Sequence, residues 1–244
     1  MTPRKFKPAL IALGCIGLAA CQPSPEQDRA QIERDILATP GSEELWGTIK
    51  REYPADFGVL VDRVQALDNA QRRDPANSKA IGEEWRQEFF IRIAPDSVKA
   101  PAEEMLAWSA AEAQLYSNLQ VSALEACADL TMGRWVFIDE SNVAASRAVE
   151  QRNAAMVRAA AAGRDDPQEY ATPGEADFMK LGDAIAETGI APEIQETLGF
   201  VDRMAALSPE DRCELGVALY QGVTALPDED EAKMAAFLLS PVPE

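Results

Sequence analysis

Apolar side chains recur at intervals of three and four residues along almost the whole chain, and this spacing places them on one face of a helix. The clearest run is Ile81, Trp85, Phe89 and Ile93, where each residue follows the previous one by four. Few runs of β-branched residues alternate with polar ones, and no Asn-Gly or Asp-Gly turn joins two such runs. The pattern therefore predicts an all-α fold.

Helix start and stop signals divide this pattern into roughly eight to ten segments. Ser24 followed by Pro25 is typical of a helix N-terminus, where serine caps free N–H groups and proline occupies the first turn. Ser208 and Pro209 repeat this arrangement. The predicted helices begin near residues 24, 42, 54, 78, 101, 141, 175, 192, 209 and 228. We therefore predict an irregular multi-helix bundle.

The sequence also predicts where several of these helices begin and end. Residues 69–78 are polar and are predicted to form a loop. The segment that begins at Pro101 is predicted to form either one long helix or two. The helix that follows it is expected to be capped by Asp139 or Ser141. Residues 192–207 are predicted to form a single helix.

Residues 163–174, with the sequence GRDDPQEYATPG, interrupt the helical pattern. They contain two prolines and two glycines and show no apolar periodicity. A loop of this length is uncommon inside a compact domain unless it has a function or separates two units. The segment is predicted to be a long loop or a subdomain boundary within a helical domain that spans residues 41–244.

The N-terminal residues have the layout of a secretory signal. Arg4, Lys5 and Lys7 precede an uncharged apolar stretch from 9 to 20. Twelve apolar residues form a helix of about 18 Å, which is shorter than the ~30 Å hydrocarbon core of a bilayer. The stretch is therefore predicted to be a cleaved signal and not a permanent membrane span.

The sequence Leu-Ala-Ala-Cys that ends at Cys21 closes this stretch and resembles the lipobox of bacterial lipoproteins. The resemblance covers residues 1–21 only. It implies that residues 1–20 are removed as a signal peptide and that lipid such as palmitate is attached to Cys21. Because more than one acyl chain suffices for stable anchoring, the membrane would be a partner through this lipid.

The same resemblance implies where the mature chain would be held. Residues 21–40 would form the lipidated cysteine, a short tether and the first helix. Gln22 occupies the position where an aspartate implies retention at the inner membrane. The expected location is therefore the cell envelope, with the lipid in the outer membrane and the domain facing the periplasm.

The charge of the chain limits its partners. The chain carries 41 acidic and 23 basic side chains, a formal net charge of −18, and it contains no histidine. Loss of residues 1–20 would leave 20 basic side chains against 41 acidic ones, a net charge of −21. Such a chain repels phosphate backbones, so we expect no nucleic-acid binding and a basic protein partner instead. Without histidine there is no Ser-His-Asp triad and no His-based zinc site.

Cys127 and Cys213 are the cysteines of the mature chain that lipid attachment does not require. In an oxidising compartment, two cysteines on helices of one domain usually form a disulfide. Closing a loop of about 85 residues would stabilise the fold by about 4 kcal/mol in the chain-entropy model. The alternatives are two buried free thiols or a reactive thiol. Two cysteines without histidine do not make a structural zinc site.

Carboxylates are the abundant acid-base groups, so a hydrolase built on this chain would have to use Asp or Glu. Glu140 followed by Ser141 is similar to the catalytic glutamate and serine of lytic transglycosylases, and this implies a general acid at Glu140 in a cell-wall hydrolase. The Gly-Leu-Met-Gln and Ala-Tyr-Asn-x-Gly segments of that family are missing. We therefore assign no catalytic residue and interpret Glu140 as part of the first turn of a helix.

No cofactor or metal site is predicted. The sequence has no calcium loop of the Asp-x-Asp-x-Asp-Gly type and no glycine-rich phosphate loop of the GxGxxG or GxxxxGK[ST] type. Acidic pairs such as Glu83 with Glu84, and the acidic residues 228–231, are interpreted as solvated faces and helix N-termini.

Trp135 lies between two predicted helices, directly after Gly133 and Arg134, and this position suits a contact surface. Together these features predict a non-enzymatic envelope interaction or accessory lipoprotein. The alternative is a helical binding module for a lipid or another small apolar ligand. A pocket of several hundred cubic ångströms with convergent polar groups would favour the ligand binder. An exposed apolar patch would favour the protein partner.

Overall fold

The computed structural model describes residues 24–134, 138 and 141–240. These residues form thirteen helices and no strand, which confirms the all-α prediction. The first seven helices are α1 (Pro25–Leu37), α2 (Glu43–Glu52), α3 (Pro54–Gln65), α4 (Asn69–Arg73), α5 (Pro75–Ser97), α6 (Ala102–Ser122) and α7 (Leu124–Thr131). The other six are α8 (Val143–Asp165), α9 (Glu175–Glu187), α10 (Pro192–Gln195), α11 (Val201–Ala206), α12 (Pro209–Thr224) and α13 (Asp228–Leu239).

Several of the helix starts that the sequence indicates are present in the structure. The Ser24 hydroxyl accepts a hydrogen bond from the backbone N–H of Gln27, and the Gln27 side chain accepts one from the backbone N–H of Ser24. This reciprocal pair satisfies N–H groups that have no partner inside the helix. Pro54 and Pro209 each occupy the first turn of a helix, as predicted.

Three helices occupy the centre of the bundle. Helices α6 and α8 pack against each other, and α12 packs against α6, α7 and α9. On its other side α8 packs against α2 and α5. Small side chains on α8, among them Ala154, Ala155, Ala159 and Ala160, are fully buried and let the neighbouring helices approach closely. The bundle therefore consists of an N-terminal and a C-terminal part joined through α6, α8 and α12.

The N-terminal part has an aromatic core. Of the row that the sequence predicts on α5, Trp85, Phe89 and Ile93 are buried and Ile81 is half-buried. The Trp85 and Phe89 rings stack with 4.8 Å between their centroids, and Tyr53 meets Phe89 edge to face at 5.3 Å. The other buried residues of this core are Ile32, Leu45, Trp46, Ile49, Phe57, Leu60 and Val61, with Ala154, Val157, Ala160 and Ala161 of α8. Burial of aromatic rings dominates the packing energy of such a cluster.

The C-terminal part has a separate core that is mainly aliphatic. It consists of Leu181, Ile185, Ile190, Ile194, Met204, Leu215, Ala218, Val223, Leu226 and Met234. The first two residues lie on α9, and Leu215, Ala218 and Val223 lie on α12. Because the side chains come from helices that follow each other in sequence, this core forms largely from local contacts.

The prediction of a loop over residues 69–78 is wrong. Residues 69–73 form α4, and α5 begins at Pro75, three residues earlier than predicted. Asp68 caps α4 by accepting hydrogen bonds from the N–H groups of Ala70 and Gln71. Asp74 caps α5 in the same way. Polar residues thus support helix starts here because their side chains bond to backbone N–H groups.

Two further boundaries differ from the prediction. Asn142, and not Asp139 or Ser141, caps α8, because its side chain accepts a hydrogen bond from Ala145 N–H. Residues 192–207 form two short helices, α10 and α11, because Gly199 between them has a positive φ of 84°. The open question of one helix or two after Pro101 resolves as two, since the chain breaks at Ala123 between α6 and α7.

Within the described ranges, the structure has more helices than the eight to ten predicted because three of its helices are very short. Of the thirteen in the described residues, α4, α10 and α11 have four to six residues, and the other ten match the expected count of eight to ten. None of the helices in the described part of the chain combines the length and the apolar composition that a membrane span requires.

Candidate functional site

Cys127 of α7 and Cys213 of α12 form a disulfide, as predicted from the sequence. Their Cα atoms are 5.1 Å apart, and both side chains are completely buried. The bond joins the short helix α7 to the centre of the bundle, where Leu115, Leu119 and Val217 surround it. Its position inside the core indicates a structural crosslink, and the bond excludes the alternatives of free or reactive thiols at these positions in this structure.

A row of buried polar side chains on α6 lies between this disulfide and the C-terminal end of the bundle. Ser109, Glu112 and Tyr116 follow each other at steps of three and four residues and share one helix face. The Ser109 hydroxyl donates a hydrogen bond to the Glu231 carboxylate on α13. Glu112 pairs with Arg152 of α8, with 3.3 Å between Oε1 and Nε. These contacts hold α8 and α13 against α6.

Burial raises the pKa of the Glu112 and Glu231 carboxyl groups. Removal from water raises the pKa of Glu112, and the nearby Arg152 charge opposes this rise. Removal from water also raises the pKa of Glu231, against the hydrogen bond from Ser109, which lowers it. Both carboxyl groups bond to side chains inside the bundle. We therefore interpret them as structural groups and not as a catalytic acid and base.

Tyr116, the last residue of this row, belongs to an aromatic cluster with Tyr220 and Trp108. The Tyr116 and Tyr220 rings stack with 5.0 Å between their centroids, and Trp108 meets Tyr220 edge to face at 6.1 Å. Burial raises the pKa of Tyr220 well above its usual value, and it does the same for Tyr116. The hydroxyl groups are therefore neutral in the folded chain at physiological pH.

The segment of residues 166–174 crosses the surface between α8 and α9 and is held at several points. The backbone N–H of Gln168 donates to the carbonyl of Lys99 at 2.7 Å. The Tyr170 hydroxyl donates to the carbonyl of Ala100, also at 2.7 Å. Pro173 is buried, and the next residue, Gly174, donates its N–H to Asp177 at the start of α9. The segment predicted to be a long loop is thus a loop with a defined path.

A groove of ≈ 610 Å³ lies between the 166–174 segment and the C-terminal half of α13. Tyr170 and Pro173 contribute to one side of the groove, and Ala236 and Phe237 contribute to the other. The remaining lining residues are Val98, Lys99, Pro167, Gln168, Glu169, Ala171, Thr172, Lys233 and Ser240. Three segments that are distant in sequence therefore form one concave surface.

An exposed aromatic pair extends the apolar surface beyond the groove. Phe178 of α9 and Phe237 of α13 meet edge to face at 5.6 Å, yet 44 % and 41 % of these residues remain exposed. Met179, beside Phe178 in sequence, is 61 % exposed. We call Phe178, Met179 and Phe237 the aromatic patch. Large apolar side chains grouped at the surface are typical of contact sites.

Ion pairs lie next to the aromatic patch and join the same two helices. Lys233 lies 2.6 Å from Asp177, and Lys180 lies 2.7 Å from Asp230. The hydrogen bond from Lys233 lowers the pKa of Asp177, and the bond to Asp230 raises the pKa of Lys180. The charges beside the patch therefore compensate each other, which leaves the apolar side chains as the group that gains most from a partner.

A second, smaller groove of ≈ 280 Å³ lies between the start of α2 and the middle of α8. Its walls are polar, and they consist of Gly41, Glu43, Glu44, Arg147, Glu150 and Gln151. Two of its carboxylates form ion pairs outside the groove, Glu44 with Arg158 and Glu150 with Arg86. The groove next to the aromatic patch is larger and more apolar, and we take it as the candidate functional site.

Several residues singled out from the sequence lie outside the described residues. These are Cys21, the predicted lipid attachment point, Trp135, the predicted contact residue, and Glu140, the position compared with a transglycosylase acid. Within the described ranges, no group of three or more aspartate, glutamate or cysteine side chains is placed to share a metal ion.

Sequence reasoning did not identify the groove or the aromatic patch. The spacing of apolar residues places Phe178 on the helix predicted from residue 175 and Phe237 on the one predicted from residue 228, but it does not indicate that the two side chains meet. Phe178 and Leu181 are three residues apart and share one face of the predicted helix, so only Met179, which lies off that face, signals an exposed apolar side chain. Leu181 is buried in the structure, while the other two are exposed.

Comparison with known proteins gives no relative for this chain. No protein family, curated protein or solved structure matches it. Its function must therefore be argued from its own residues.

Proposed function

We propose that this protein is a lipid-anchored, non-enzymatic accessory protein of the bacterial cell envelope that binds a protein partner at the groove and the aromatic patch. In this proposal Cys21 carries the lipid, the lipid enters the outer membrane, and the helical domain faces the periplasm. The partner is a protein with a basic contact surface.

Two features of the chain support the envelope location. The first is the resemblance of residues 1–21 to a lipoprotein signal with its lipobox. The second is the disulfide between Cys127 and Cys213, since such bonds form and persist in oxidising compartments such as the periplasm.

The observation that carries the partner proposal is the exposed contact between Phe178 and Phe237 at the edge of the groove. Aromatic side chains are enriched at the buried centres of protein interfaces, where they contribute much of the binding energy. Here the two rings are fixed against each other by α9 and α13, so a partner would order few side chains on binding.

Charge supports a basic partner. A net charge of −18 produces a negative field that accelerates encounter with a positively charged protein. The same field repels an acidic one. Association should therefore slow when the salt concentration rises, because salt screens the charges.

Lipid attachment is tested in cells that express the full chain. Labelled palmitate should be incorporated into the natural protein and not into the variant Cys21→Ala. The variant should also leave the membrane fraction. Incorporation of label into both proteins, or recovery of the natural protein from the soluble fraction, would contradict the anchor.

The partner surface is tested by photo-crosslinking in the same cells. Benzoylphenylalanine placed at position 237, and separately at 178, should give one discrete adduct with a protein that mass spectrometry identifies and whose contact surface is basic. Val121, which is 85 % exposed and lies on α6, is the matched control position. An adduct of equal yield at position 121, or no adduct at 178 and 237, would contradict the proposed surface.

The volume of the groove also favours a second candidate function, the binding of a lipid or another small apolar ligand. Pockets for small ligands measure roughly 300–1,000 Å³, and the groove of ≈ 610 Å³ lies in this range. A lipid or another small apolar ligand would displace a fluorescent apolar probe from the purified protein. The variant Phe237→Ala should weaken that binding. If no probe binds, the small-ligand function is excluded.

A further inference from the structure

The 166–174 segment has an unusual backbone. From 167 to 174 the chain forms no helix, turn or bend. Pro167 and Pro173 fix their own φ angles, and Thr172, which precedes a proline, is restricted to extended conformations. Gly174 has the extended angles φ −99° and ψ −177°. Together these features indicate that the segment runs as an extended piece of chain on the surface of a helical protein.

Most backbone hydrogen-bonding groups of this segment have no partner among the residues that the structure describes. Within the part of the chain that the structure describes, the N–H groups of residues 169–172 donate no hydrogen bond. The neighbouring contacts hold the segment in place, namely the bonds to Lys99 and Ala100 and the burial of Pro173. An extended backbone that is fixed in position but unpaired resembles the exposed edge strand of a sheet.

The free backbone borders the groove. Residues 169–172 all contribute to its lining, and Phe237 lies in the same lining. Neighbouring strands lie about 4.8 Å apart, and four extended residues span about 13 Å. An extended peptide that pairs with residues 169–172 would therefore lie along the groove, with alternate side chains directed toward its floor.

The negative charge around the 166–174 segment favours a basic peptide. Between residues 164 and 175 the chain carries four carboxylates and one guanidinium group. These are Asp165, Asp166, Glu169 and Glu175 against Arg164, which pairs with Asp165 at 2.8 Å. Lys99 adds one positive charge to the groove, and Lys233 is already paired with Asp177. Of these carboxylates, Glu169 lines the groove, and Asp166 and Glu175 belong to the segment or flank it. None of these three forms an ion pair with another residue that the structure describes, so they are the groups that basic residues of a peptide would meet at this site.

We propose that the groove binds an extended, basic segment of the partner protein by adding it as a strand to residues 169–172. This proposal rests on the proposed function, because it names the binding mode and the chemistry of the partner at the same surface. Backbone hydrogen bonds would provide affinity, and apolar side chains at every second position would pack against Phe237 and Pro173.

The test uses synthetic heptapeptides as probes and the purified chain with its disulfide intact. The first probe alternates lysine and valine and has blocked ends. The second has the same sequence with every second backbone N–H methylated, so that side chains and charge are kept while one hydrogen-bonding edge is lost. The third replaces lysine by glutamate. Binding is measured by calorimetry, and hydrogen exchange reports the amides of residues 169–172.

We expect the lysine-valine probe to bind and to protect two alternate amides within residues 169–172 from exchange, because every second residue of a strand faces a given neighbouring strand. The methylated probe and the glutamate probe should each bind at least about tenfold more weakly, because two or three backbone bonds or the charge attraction are lost. The variant Ala171→Pro removes one free N–H and should weaken the lysine-valine probe similarly. An unchanged melting temperature would show that this variant folds.

Failure of this inference is distinguishable from failure of the proposed function. Absent binding of the lysine-valine probe, or equal binding of the methylated probe, overturns the strand-pairing mode. Crosslinking through positions 178 and 237 in cells would then still support the partner surface. If the probe binds as described but no crosslinked partner is found, the binding mode stands and the envelope function is wrong.

Discussion

Glu112 of α6 and Arg152 of α8 form an ion pair in which the carboxylate is almost fully buried and the guanidinium is largely buried. Removal of one partner leaves a charge inside the bundle without compensation. The variant Arg152→Met should therefore lose about 3 kcal/mol of unfolding free energy, measured by urea denaturation. The double variant with Glu112→Gln should recover part of this loss.

The control for this prediction is the surface pair of Arg63 and Glu88, whose side chains are 37 % and 52 % exposed. The variant Arg63→Met should change the unfolding free energy by less than about 1 kcal/mol, because exposed ion pairs contribute little. Equal losses for Arg63→Met and Arg152→Met would show that burial of the inner pair has no energetic importance.

The same carboxyl group predicts how stability depends on pH. Burial raises the pKa of Glu112 in the folded chain, so between the usual glutamate pKa and this raised value the folded state binds more protons than the unfolded state. The stability that Glu112 contributes through this shift is therefore fully present below the usual pKa and is lost as the pH rises through the raised one. The variant Glu112→Gln should show a smaller fall as the pH rises above the usual glutamate pKa, in denaturation curves compared pairwise with the natural chain.

Reduction of the disulfide should destabilise the fold strongly. The bond between Cys127 and Cys213 joins residues that are 86 positions apart. In the chain-entropy model its loss costs about 4 kcal/mol. Urea denaturation with and without a reductant measures this difference, and the variant with both cysteines replaced by alanine should not respond to the reductant. A natural chain that is equally stable in both conditions would contradict the prediction.

Gly163 near the end of α8 should not tolerate a side chain. A Cβ atom built there would lie 2.9 Å from the backbone nitrogen of Ala100 and would overlap the carbonyl of Asp96. Gly163→Ala should cost about 2 kcal/mol through this overlap. Gly82 is a matched control on α5, since a Cβ there meets nothing within 4 Å. Gly82→Ala should stabilise the helix by about 0.5–1 kcal/mol.

The tyrosines should ionise at a higher pH in the folded chain than in the unfolded one. Burial raises the pKa of Tyr53 to about 12, against the attraction of Arg164, and it also raises the pKa of Tyr116, Tyr170 and Tyr220. The stability that the tyrosines contribute through these shifts should be complete below pH 10, where unfolded tyrosines ionise, and should fall as the pH rises toward 12. Absorbance titration of tyrosinate checks this. Ionisation of any tyrosine near pH 10 in the folded chain would contradict the prediction.

The fold class was predictable because helix formation in this chain is encoded locally. The step of four from Ile81 to Ile93 identifies the buried face of α5 without any knowledge of its neighbours. The short helix α4 was missed because its signal is a polar capping box of Asp68 and Gln71, which resembles loop composition. Such short elements depend on capping more than on apolar periodicity.

The candidate site was not predictable to the same degree, because it depends on contacts between distant segments. Tyr170 was assigned correctly to a long loop, but its hydrogen bond to Ala100 and its place beside Phe237 follow from the packing of α5, α8 and α13. A single sequence gives no information on which helix ends meet.

The disulfide would keep the two parts of the chain joined after cleavage within the 166–174 segment. Cys127 lies before the 166–174 segment, and Cys213 lies after it. A protease that nicks this exposed segment would therefore release no fragment. The product would be a two-chain protein, which migrates as one species until a thiol separates it into a larger N-terminal and a smaller C-terminal fragment.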